Sequence, residues 1–336
     1  MTRSRFHQIF ESFPTKRILV IGDLMLDEFI WGNVKRISPE APVPVVEVER
    51  ESYFPGGAAN VARNLREFSR DVHVMGLIGT DPHAEHLKQL LAAEGINLGC
   101  IQQEPSYQTI VKTRIIARQQ QVVRVDREKK TCLTALQKER AVAEVEKMLP
   151  LIDAIIIEDY AKGLLHQDFV DSITALAQSA GKILAVDPNP SNLLQWHGVS
   201  VIKPNRSEAF AAAGLPLTDP VEPVTGDSNL LEVGAILSKR WKTENLLITL
   251  GEQGMMLFNN NSAPYHTPTR AREVFDVSGA GDTAIALFTL ALCSGATAAE
   301  AAEISNHASG IVVGKLGTAT VTPAELIESF ENHTHG

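Results

Sequence analysis

The chain alternates short apolar runs with amphipathic stretches over most of its length. The apolar runs are rich in β-branched side chains, which is typical of strands buried in a parallel sheet. They fall at 17–22, 154–157, 183–186, 199–202 and 246–250, and helices are predicted near 134–148 and 167–178. Strands separated by helices form a sheet with helices on both faces, so the pattern predicts an α/β fold with a mainly parallel central sheet.

Two blocks have a different pattern, in which apolar and polar residues alternate. The first covers about 28–50 and contains Pro39, Pro42 and Pro44; the second covers about 109–126 and has a polar centre that could turn. Strands interrupted by proline belong at the edge of a sheet or outside it. The blocks therefore predict a small β-sheet lid over the crevice of the large sheet, which would exclude water when a substrate binds. Its exposed edges could pair with a second copy, so we expect a homodimer.

The segment that carries most chemical information is Asp276-Val-Ser-Gly-Ala-Gly-Asp282. Its two glycines allow a tight turn, and the apolar run 283–292 predicts a helix that begins there. Unpaired amide groups of residues 279–281 would then converge on an anion. The carboxylate of Asp282 follows directly, which suits transfer of a phosphoryl group to a hydroxyl that this residue deprotonates. Taken alone, the glycines are equally compatible with plain packing of a loop against a helix.

Two further segments offer polar groups at expected ligand positions. Gly56 and Gly57 open another predicted helix, where small residues let a ligand approach the backbone, and Asn60 offers a donor and an acceptor to sugar hydroxyls. Tight packing of that helix on the sheet is the alternative. Asp23 and Asp27 follow the first strand, at the sheet edge where α/β proteins bind ligands. For Asp23, a role in a turn is equally compatible.

The composition is that of an ordinary enzyme, with 336 residues, 44% of them hydrophobic, 21% charged, and a formal net charge of -9. The acidic balance argues against nucleic acid and anionic membranes as partners. No stretch reaches membrane-spanning length, and the first sixteen residues lack the apolar run of a signal peptide. Cys100, Cys132 and Cys293 are scattered without metal-ligand spacing, so we expect a reducing, cytoplasmic environment.

Four segments occur in a familiar order along the chain. They are Gly56-Gly-Ala-Ala-Asn60, Asn205-Arg-Ser-Glu208, Thr249-x-Gly251-x-x-Gly254 and the segment that ends at Asp282. The set resembles the PfkB (ribokinase-like) family of sugar kinases from about residue 17 to 323. Neither a Walker A loop nor a Gly-x-Gly-x-x-Gly turn after the first strand is present, which argues against other nucleotide-binding folds. The resemblance implies a ribokinase-like three-layer αβα sandwich with a mainly parallel sheet and a small β-sheet lid.

Within that family, the chain is most similar to the D-glycero-β-D-manno-heptose 7-phosphate kinases. The segments that carry this similarity are Gly22–Asp27, Arg36–Val45, Lys112–Asp126 and Glu158–Gly163. It implies ATP-dependent phosphorylation of the anomeric hydroxyl to give the 1,7-bisphosphate, in ADP-heptose and lipopolysaccharide core synthesis. Another sugar or nucleoside kinase of the same fold is the nearest alternative, and a sugar-binding regulator without catalysis is a more distant one.

Many members of that group continue into a fused adenylyltransferase domain, which has its own nucleotide site. The sequence given ends at Gly336 without one. We therefore expect residues 1–336 to form a single ribokinase-like kinase domain with an inserted lid. A stand-alone kinase and the kinase half of a fusion are equally compatible with the sequence.

The resemblance also implies roles for individual residues. Asp282 is the expected general base, and the amides of Gly279, Ala280 and Gly281 are expected to hold the transferring phosphoryl oxygens. Because Asp282 lies at a helix N-terminus, we expect its charged form to be favoured. The residues expected to bind ATP are Asn205, Glu208, Thr249, Gly251, Gly254 and Asn306. Glu208 and Asp187 are expected to organise Mg²⁺ through water, and K⁺ is a further candidate beside Asp276.

On the sugar side, the expected contacts fall into two groups. Sugar hydroxyls are expected to meet Asp27, Gly56, Gly57 and Asn60. The 7-phosphate needs cations, and the candidates are Lys112, Arg114, Arg118 and Arg124 in the second lid block, of which one or two are expected to touch it. In a regular strand, Lys112, Arg114 and Arg118 would share one face.

Overall fold

The computed structural model describes residues 1–118, 120–260, 262–271, 274–315 and 317–331. The strands in these ranges are β1 (Arg17–Gly22), β2 (Leu24–Ile37), β3 (Pro44–Gly57), β4 (Asp71–Ile78), β5 (Asn97–Gln103), β6 (Ile110–Ala117), β7 (Gln120–Arg127), β8 (Ala154–Glu158), β9 (Ile183–Asp187), β10 (Val201–Ile202), β11 (Asn245–Thr249), β12 (Met255–Asn259) and β13 (Tyr265–Thr267). The α-helices are α1 (Arg3–Phe10), α2 (Ala58–Arg66), α3 (Pro82–Ala93), α4 (Ala135–Met148), α5 (Gln167–Ser179), α6 (Arg206–Ala213), α7 (Ser228–Trp241), α8 (Ala280–Cys293), α9 (Ala298–Val312) and α10 (Pro323–Glu331).

The described strands form two sheets. The larger has nine strands in the order β13-β12-β11-β10-β9-β8-β1-β4-β5, and the smaller has four in the order β3-β2-β6-β7. In the larger sheet, β12 pairs antiparallel with both β11 and β13 at one edge, and the remaining neighbours pair in parallel. The smaller sheet is the predicted lid and is called the lid below.

Strand β1 contributes side chains to both faces of the large sheet. Ile18 and Val20 belong to one buried cluster, which includes residues of α2, α8 and α9. Leu19 and Ile21 belong to the other cluster, which includes residues of α4, α5 and α7. Helices therefore cover both faces, and the predicted αβα layers with a mainly parallel sheet and a small second sheet are confirmed.

The first lid block is built differently from the broken strands that its prolines suggested. Strands β2 and β3 each have 14 residues and pair along most of their length. Pro39 and Pro42 lie in the connection between them, and Pro44 is the first residue of β3. Proline is tolerated at the start of a strand and in a loop, because neither position needs its missing N–H. The prolines thus mark a hairpin connection between two long strands.

None of the helices in the described ranges is long and apolar enough to cross a membrane.

Candidate functional site

The N-terminus of α8 presents free backbone amides. The helix begins at Ala280, directly after Gly279, whose φ of 81° lies in the left-handed region that favours glycine. The amide of Ala280 donates to the carbonyl of Val277 at 3.3 Å, whereas the amides of Gly281 and Asp282 find no acceptor among the described residues. Two unpaired amides and the positive end of the helix dipole are suited to bind an anion.

Asp282 is buried, and its carboxylate has two side-chain partners. The amide of Asn60 donates to Oδ2 at 2.6 Å, and the hydroxyl of Tyr160 donates to Oδ1 at 3.0 Å. Burial raises the pKa of Asp282 above its ordinary value, and the hydrogen bonds from Asn60 and Tyr160 offset only part of that rise. This direction is opposite to the expectation that the helix N-terminus would favour the charged form, because burial disfavours that form. A raised pKa makes Asp282 a stronger base than an exposed aspartate.

Three carboxylates and one ammonium group meet beside this helix end. Glu158 ends β8, Asp187 ends β9, and their carboxylate oxygens lie within 4.8 Å of each other and of Asp282. The Nζ atom of Lys203, after β10, lies 2.7 Å from Asp187. Burial alone would lower the pKa of Lys203, but the charges of Asp187 and Glu158 raise it, so the lysine keeps its charge.

Glu158 is the least satisfied member of this cluster. Burial, followed by the charges of Asp187 and Asp282, raises the pKa of Glu158 well above its usual range. Its Oε1 atom is buried and has no hydrogen-bond partner within the described part of the chain. Burial also raises the pKa of Asp187, whereas Lys203 lowers it. One ammonium group thus faces three acids, and it forms its ion pair with Asp187.

The oxygen donors of this cluster fit Mg²⁺, which prefers carboxylates and water. Asp187 belongs to the cluster, in keeping with its predicted place near the metal. Glu208 lies outside it, because its Oε2 accepts a hydrogen bond at 2.8 Å from the amide of Asn205, which caps α6 in return. Both residues line the same cavity as Asp187. Glu158 is a further oxygen donor that the sequence analysis did not assign.

A cavity of about 1020 Å³ opens beside the cluster and is large enough for a nucleotide. All the residues predicted to bind ATP line it: Asn205, Glu208, Thr249, Gly251, Gly254 and Asn306. Ala280, Gly281 and Asp282 border the same space, so the helix N-terminus faces it. The apolar residues of its lining include Leu217, Val274, Val277 and Val313, and apolar side chains suit a flat aromatic ring.

Two of these cavity residues also have clear structural roles. Gly254 has a φ of 88°, and a Cβ atom there would lie 2.1 Å from the carbonyl oxygen of Thr267. The side-chain amide of Asn306 donates to Thr267 Oγ1 at 3.1 Å and to the carbonyl of Pro268 at 2.6 Å. Asn306 therefore fixes the segment that forms one wall of the cavity.

One face of the lid gathers charged residues close to Asp282. The guanidinium of Arg114 pairs with the carboxylate of Asp27, and the ammonium nitrogen of Lys112 lies 5.5 Å from the centre of the Tyr160 ring. Lys112 is the register partner of Asp27 in the β2–β6 pair. Arg124 lies directly opposite Arg114 in the antiparallel β6–β7 pair, and opposed residues share a face. Three of the four predicted basic residues thus lie on one face.

Arg118 is separate from this face. Strand β6 ends at Ala117, and Arg118 follows in an exposed turn with a φ of 50°. The expectation that Lys112, Arg114 and Arg118 share the face of a regular strand is therefore wrong for Arg118. Its neighbour in the predicted turn, Gln119, lies outside the described residues. The Arg118 side chain has no described partner that would direct it to the cavity.

The segment from Gly56 to Asn60 connects the lid to α2. Gly56 and Gly57 are the last residues of β3, so the helix begins two residues later than predicted, and a Cβ atom at Gly56 would lie 2.5 Å from Oδ2 of Asp27. The Oδ1 atom of Asn60 is buried and has no hydrogen-bond partner among the described residues. A buried acceptor without a partner is rare in a folded protein. Beside Asp282, it is suited to receive a hydrogen bond from a sugar hydroxyl.

Asp276 holds the loop that precedes α8. Its Oδ1 accepts a hydrogen bond from the amide of Ser278 at 2.9 Å, and its Oδ2 accepts one from the amide of Gly317 at 3.2 Å. The carboxylate thus joins this loop to the segment after α9. A K⁺ site beside Asp276 stays a prediction.

No role was predicted from the sequence for three residues of the site, namely Tyr160, Lys203 and Glu158. Glu158 and Tyr160 lie in the segment Glu158–Gly163, which carries part of the family similarity, and Lys203 follows the predicted strand at 199–202. Each is at, or just after, the carboxyl end of a parallel strand. The positional rule that drew attention to Asp23 and Asp27 would have found them too.

The sequence matches the family described as pfkB family carbohydrate kinase over residues 15–325. The chain belongs to this family. Membership confirms the predicted enzyme class, an ATP-dependent carbohydrate kinase, and the resemblance from which it was inferred.

Curated relatives of similar sequence are also known. The chain is 41% identical over 327 residues to "Bifunctional protein HldE" of Trichlorobacter lovleyi, a match that covers 97% of this chain and 65% of the relative. It is 40% identical over 329 residues to the protein of the same name from Pelobacter propionicus, covering 98% and 66%. The chain thus spans just under two thirds of the length of these relatives.

Solved structures share the fold. Ribokinase of Arabidopsis thaliana, complexed with ribose and ATP, superimposes with a TM-score of 0.71 at 15% identity, covering 94% of this chain and 99% of that one. Phosphofructokinase-2 of Escherichia coli, in complex with substrates and products, gives a TM-score of 0.75 at 17% identity, covering 95% and 99%. At these identities the likeness supports the ribokinase-like fold alone.

Proposed function

We propose that the chain transfers the terminal phosphoryl group of ATP to the anomeric hydroxyl of D-glycero-β-D-manno-heptose 7-phosphate, giving the 1,7-bisphosphate for ADP-heptose and lipopolysaccharide core synthesis. The observation that carries the proposal is the position of Asp282. Asp282 lies at the N-terminus of α8 and borders the large cavity. Its carboxylate also contacts Asn60 and Tyr160, and the Tyr160 ring lies beside Lys112 on the charged face of the lid.

The proposed reaction assigns a step to each part of this arrangement. Asp282 accepts the proton of the attacking hydroxyl, which its raised pKa favours. The amides of Gly281 and Asp282, with the Lys203 ammonium close to Gly281, face the charge that develops on the migrating group. Phosphoryl transfer passes through a loose transition state, so positioning and charge stabilisation matter more than strong deprotonation.

ATP is placed in the cavity lined by Asn205, Thr249 and Gly251, and Mg²⁺ beside Asp187, with Glu208 acting through water and Glu158 as an added donor. Mg²⁺, when bound, neutralises charge on the phosphate oxygens. A requirement for K⁺ is also proposed, with Asp276 close to its site.

The acceptor is inferred from the lid and from the relatives. The 7-phosphate would meet Lys112, Arg114 and Arg124, and the sugar hydroxyls would meet Asp27 and Oδ1 of Asn60. A protein with a net charge of -9 attracts a sugar phosphate only through such a local group of cations. The sequence similarity to proteins named HldE, at about 40% identity, supports the same assignment.

The test is a panel of acceptors in a coupled assay of ADP release. D-glycero-β-D-manno-heptose 7-phosphate is compared with ribose, fructose 6-phosphate and adenosine, and ³¹P NMR identifies the product as an anomeric phosphate. We expect the heptose 7-phosphate to have the highest kcat/KM, and to exceed ribose and adenosine, which lack a phosphate, by at least about 100-fold, since each hydrogen bond to a charged group is worth roughly 1.5–3 kcal/mol. A higher kcat/KM for any other acceptor would reject the assignment and favour another kinase of this family.

We also propose that the chain acts as one kinase unit and forms a homodimer through the lid. Val122, Val123 and Val125 on β7 are 40%, 45% and 42% exposed, which leaves an apolar strip at a sheet edge. An open edge of this kind is suited to pair with a second copy. Light scattering on the purified chain, compared with a Val123→Lys, Val125→Lys variant, tests this, and a monomeric wild-type protein at micromolar concentration would reject it.

A further inference from the structure

Tyr160 contacts both sides of the proposed reaction site. Its hydroxyl donates to Oδ1 of Asp282 at 3.0 Å, and its ring lies 5.5 Å from the ammonium nitrogen of Lys112. It also lines the large cavity. A tyrosine hydroxyl ordinarily keeps its proton below about pH 10, so it is a hydrogen-bond donor over the working pH range.

The backbone around Tyr160 is held in place by buried carboxylates. The amides of Tyr160 and Lys162 both donate to Oδ2 of Asp23 at 3.1 Å, and the amide of Ala161 donates to Oδ1 of Asp159 at 2.8 Å. Ala161 has a φ of 58°, a backbone conformation that residues other than glycine rarely adopt. Such a conformation persists only where the surrounding structure imposes it, and it is concentrated at functional sites. The fold therefore sets the direction of the Tyr160 side chain.

We propose that Tyr160 is a positioning residue for phosphoryl transfer: its hydroxyl orients the carboxylate of Asp282 toward the acceptor, and its ring supports Lys112 where an anionic group of the acceptor binds. This inference deepens the proposed function and rests on it. It assigns a role in the reaction to the segment Glu158–Gly163 and explains why Asp23 is buried beside it.

The hydrogen-bond capacity of a carboxylate makes this role compatible with catalysis. A carboxylate has about four lone-pair sites, so donors from Tyr160 and Asn60 leave sites for the acceptor hydroxyl. With one donor on each oxygen, the Asp282 carboxylate cannot rotate freely about its side-chain bond. Because the base is already oriented, less entropy is lost when the transition state of the transfer step forms. On the other side of the ring, a cation within about 6 Å of an aromatic centre is attracted to it.

Two substitutions separate the hydroxyl from the ring. Tyr160→Phe removes the hydroxyl and keeps the ring, whereas Tyr160→Leu removes both. Tyr265→Phe is the matched control, because the hydroxyl of Tyr265 also donates to a carboxylate, that of Glu303 at 2.7 Å, but Tyr265 does not line the cavity. For each variant, kcat and the KM values for acceptor and ATP are measured from about pH 5 to pH 9.

We expect Tyr160→Phe to lower kcat about 10- to 100-fold, as for loss of a hydrogen bond to a charged group, with little change in either KM. The fall in kcat toward acid pH is expected to begin at higher pH than in the wild type, because the lost hydroxyl favoured the charged form of Asp282. Tyr160→Leu should also raise the KM for the anionic acceptor about 3- to 30-fold. Tyr265→Phe should leave all of these values unchanged.

If kcat of Tyr160→Phe falls on acidification at the same pH as in the wild type, the residue has a merely structural role and the proposal is overturned, whether or not kcat itself is lower. Equal acceptor KM values in Tyr160→Phe and Tyr160→Leu would remove the role of the ring. The phenylalanine variant is isosteric apart from the hydroxyl, so it keeps the test decisive where the leucine variant fails to fold. Melting temperatures and calorimetric ATP binding show which variants are folded.

The outcome can be separated from failure of the proposed function. The assay uses D-glycero-β-D-manno-heptose 7-phosphate, or fructose 6-phosphate where the acceptor panel favours it. A wrong acceptor changes the substrate that gives turnover but leaves the pH shift in Tyr160→Phe intact. A correct acceptor without that shift overturns the role of Tyr160 alone.

Discussion

The side-chain amide of Asn60 donates a hydrogen bond to the carboxylate of Asp282 across a separation of 222 residues. One position further along α8, the hydroxyl of Thr283 donates to Oδ1 of Asn64 at 2.7 Å. Helices α2 and α8 are therefore joined by two buried polar contacts directly beside the proposed base. Because each contact needs both helices, the position of Asp282 depends on packing between distant parts of the chain.

Substitution of the proposed base is the most direct test of the reaction. Asp282→Asn keeps the shape of the side chain but cannot accept the proton, so kcat is expected to fall by roughly 100-fold or more. ATP affinity, measured by isothermal titration calorimetry, should change little, because the helix amides and the cavity remain. Turnover close to that of the wild type would remove Asp282 from its assigned role.

The pH dependence of the wild-type enzyme should reflect the buried base. Burial raises the pKa of Asp282. We therefore expect kcat to fall on acidification at a pH above the ordinary aspartate pKa of about 3.9. The hydrogen bond from Asn60 lowers that pKa, so Asn60→Ala should move this fall in kcat to still higher pH. Initial rates at saturating substrates measure this, and an unshifted fall in Asn60→Ala would contradict the assignment.

Gly279 and Gly295 lie at opposite ends of α8 and form a matched pair for substitution. Both have a φ of 81°, but a Cβ atom at Gly279 would lie 2.9 Å from Nδ2 of Asn60, whereas one at Gly295 would meet nothing within 4 Å. Alanine should therefore destabilise the fold by about 1–2 kcal/mol at either position through backbone strain. Only Gly279→Ala should also lower kcat, because it displaces Asn60 from the base. Urea unfolding and kinetics on both variants separate the two effects, and equal kcat values would argue against the coupling.

Lys112 is expected to recognise the phosphate of the acceptor. Lys112→Ala should raise the KM for heptose 7-phosphate about 10- to 100-fold, because a charge-assisted contact is lost. The same variant should leave kcat/KM for the heptose without its phosphate nearly unchanged. Lys35→Ala is the control, since Lys35 pairs with Glu47 at 2.8 Å on an exposed part of the lid. Equal losses for both acceptors would place the phosphate elsewhere.

Asp159 offers a test of stability against pH. Burial raises the pKa of Asp159 from 3.8 to about 6, so the folded protein binds more protons than the unfolded chain in that interval. Folding stability associated with this group is therefore present at low pH and is lost as the pH rises through the folded pKa. Asp159→Asn removes the titration and should be more stable than the wild type by about 1–3 kcal/mol at pH 8.

The comparison of the two proteins by urea unfolding at several pH values checks this prediction. The difference should shrink as the pH falls from about 6 through 3.8, because Asp159 is protonated in both states only below the lower value. Asp168→Asn is the control, because Asp168 is exposed and pairs with Lys138, which lowers its pKa. A difference that is the same at every pH would contradict the argument.

The sequence predicts five strands of the large sheet, β1, β8, β9, β10 and β11, because they are locally encoded, whereas β4, β5, β12 and β13 were not predicted. The run from Arg17 to Gly22 is apolar on both faces, and only a central strand between two layers of helices buries both. The glycines at 279 and 281 also predict local structure, because they mark a turn before a helix. The prolines at 39 and 42 were harder to interpret, since the same residues interrupt a strand or connect two long ones.

The electrostatics of the site could not be predicted from local pattern. The helix N-terminus at Asp282 is visible in the sequence, but the burial that raises the pKa of Asp282 is a property of the tertiary fold. The same is true of the hydrogen bonds from the distant Asn60 and Tyr160, which offset part of the rise. The turn at Arg118 likewise ends a strand that the pattern alone continues. Family resemblance supplied most of the site residues, because their convergence is a property of the tertiary fold.

Two of the connections between the large sheet and the lid contain almost no chain. Strand β1 ends at Gly22 and β2 begins at Leu24, while β3 ends at Gly57 immediately before α2. The amide of Ala58 donates to the carbonyl of Asp23 at 3.1 Å, so a backbone hydrogen bond joins these two connections. A change in the angle of the lid would therefore alter the backbone torsions at both connections together. The same Asp23 anchors the turn that carries Tyr160, so the angle of the lid and the orientation of the proton acceptor are mechanically linked.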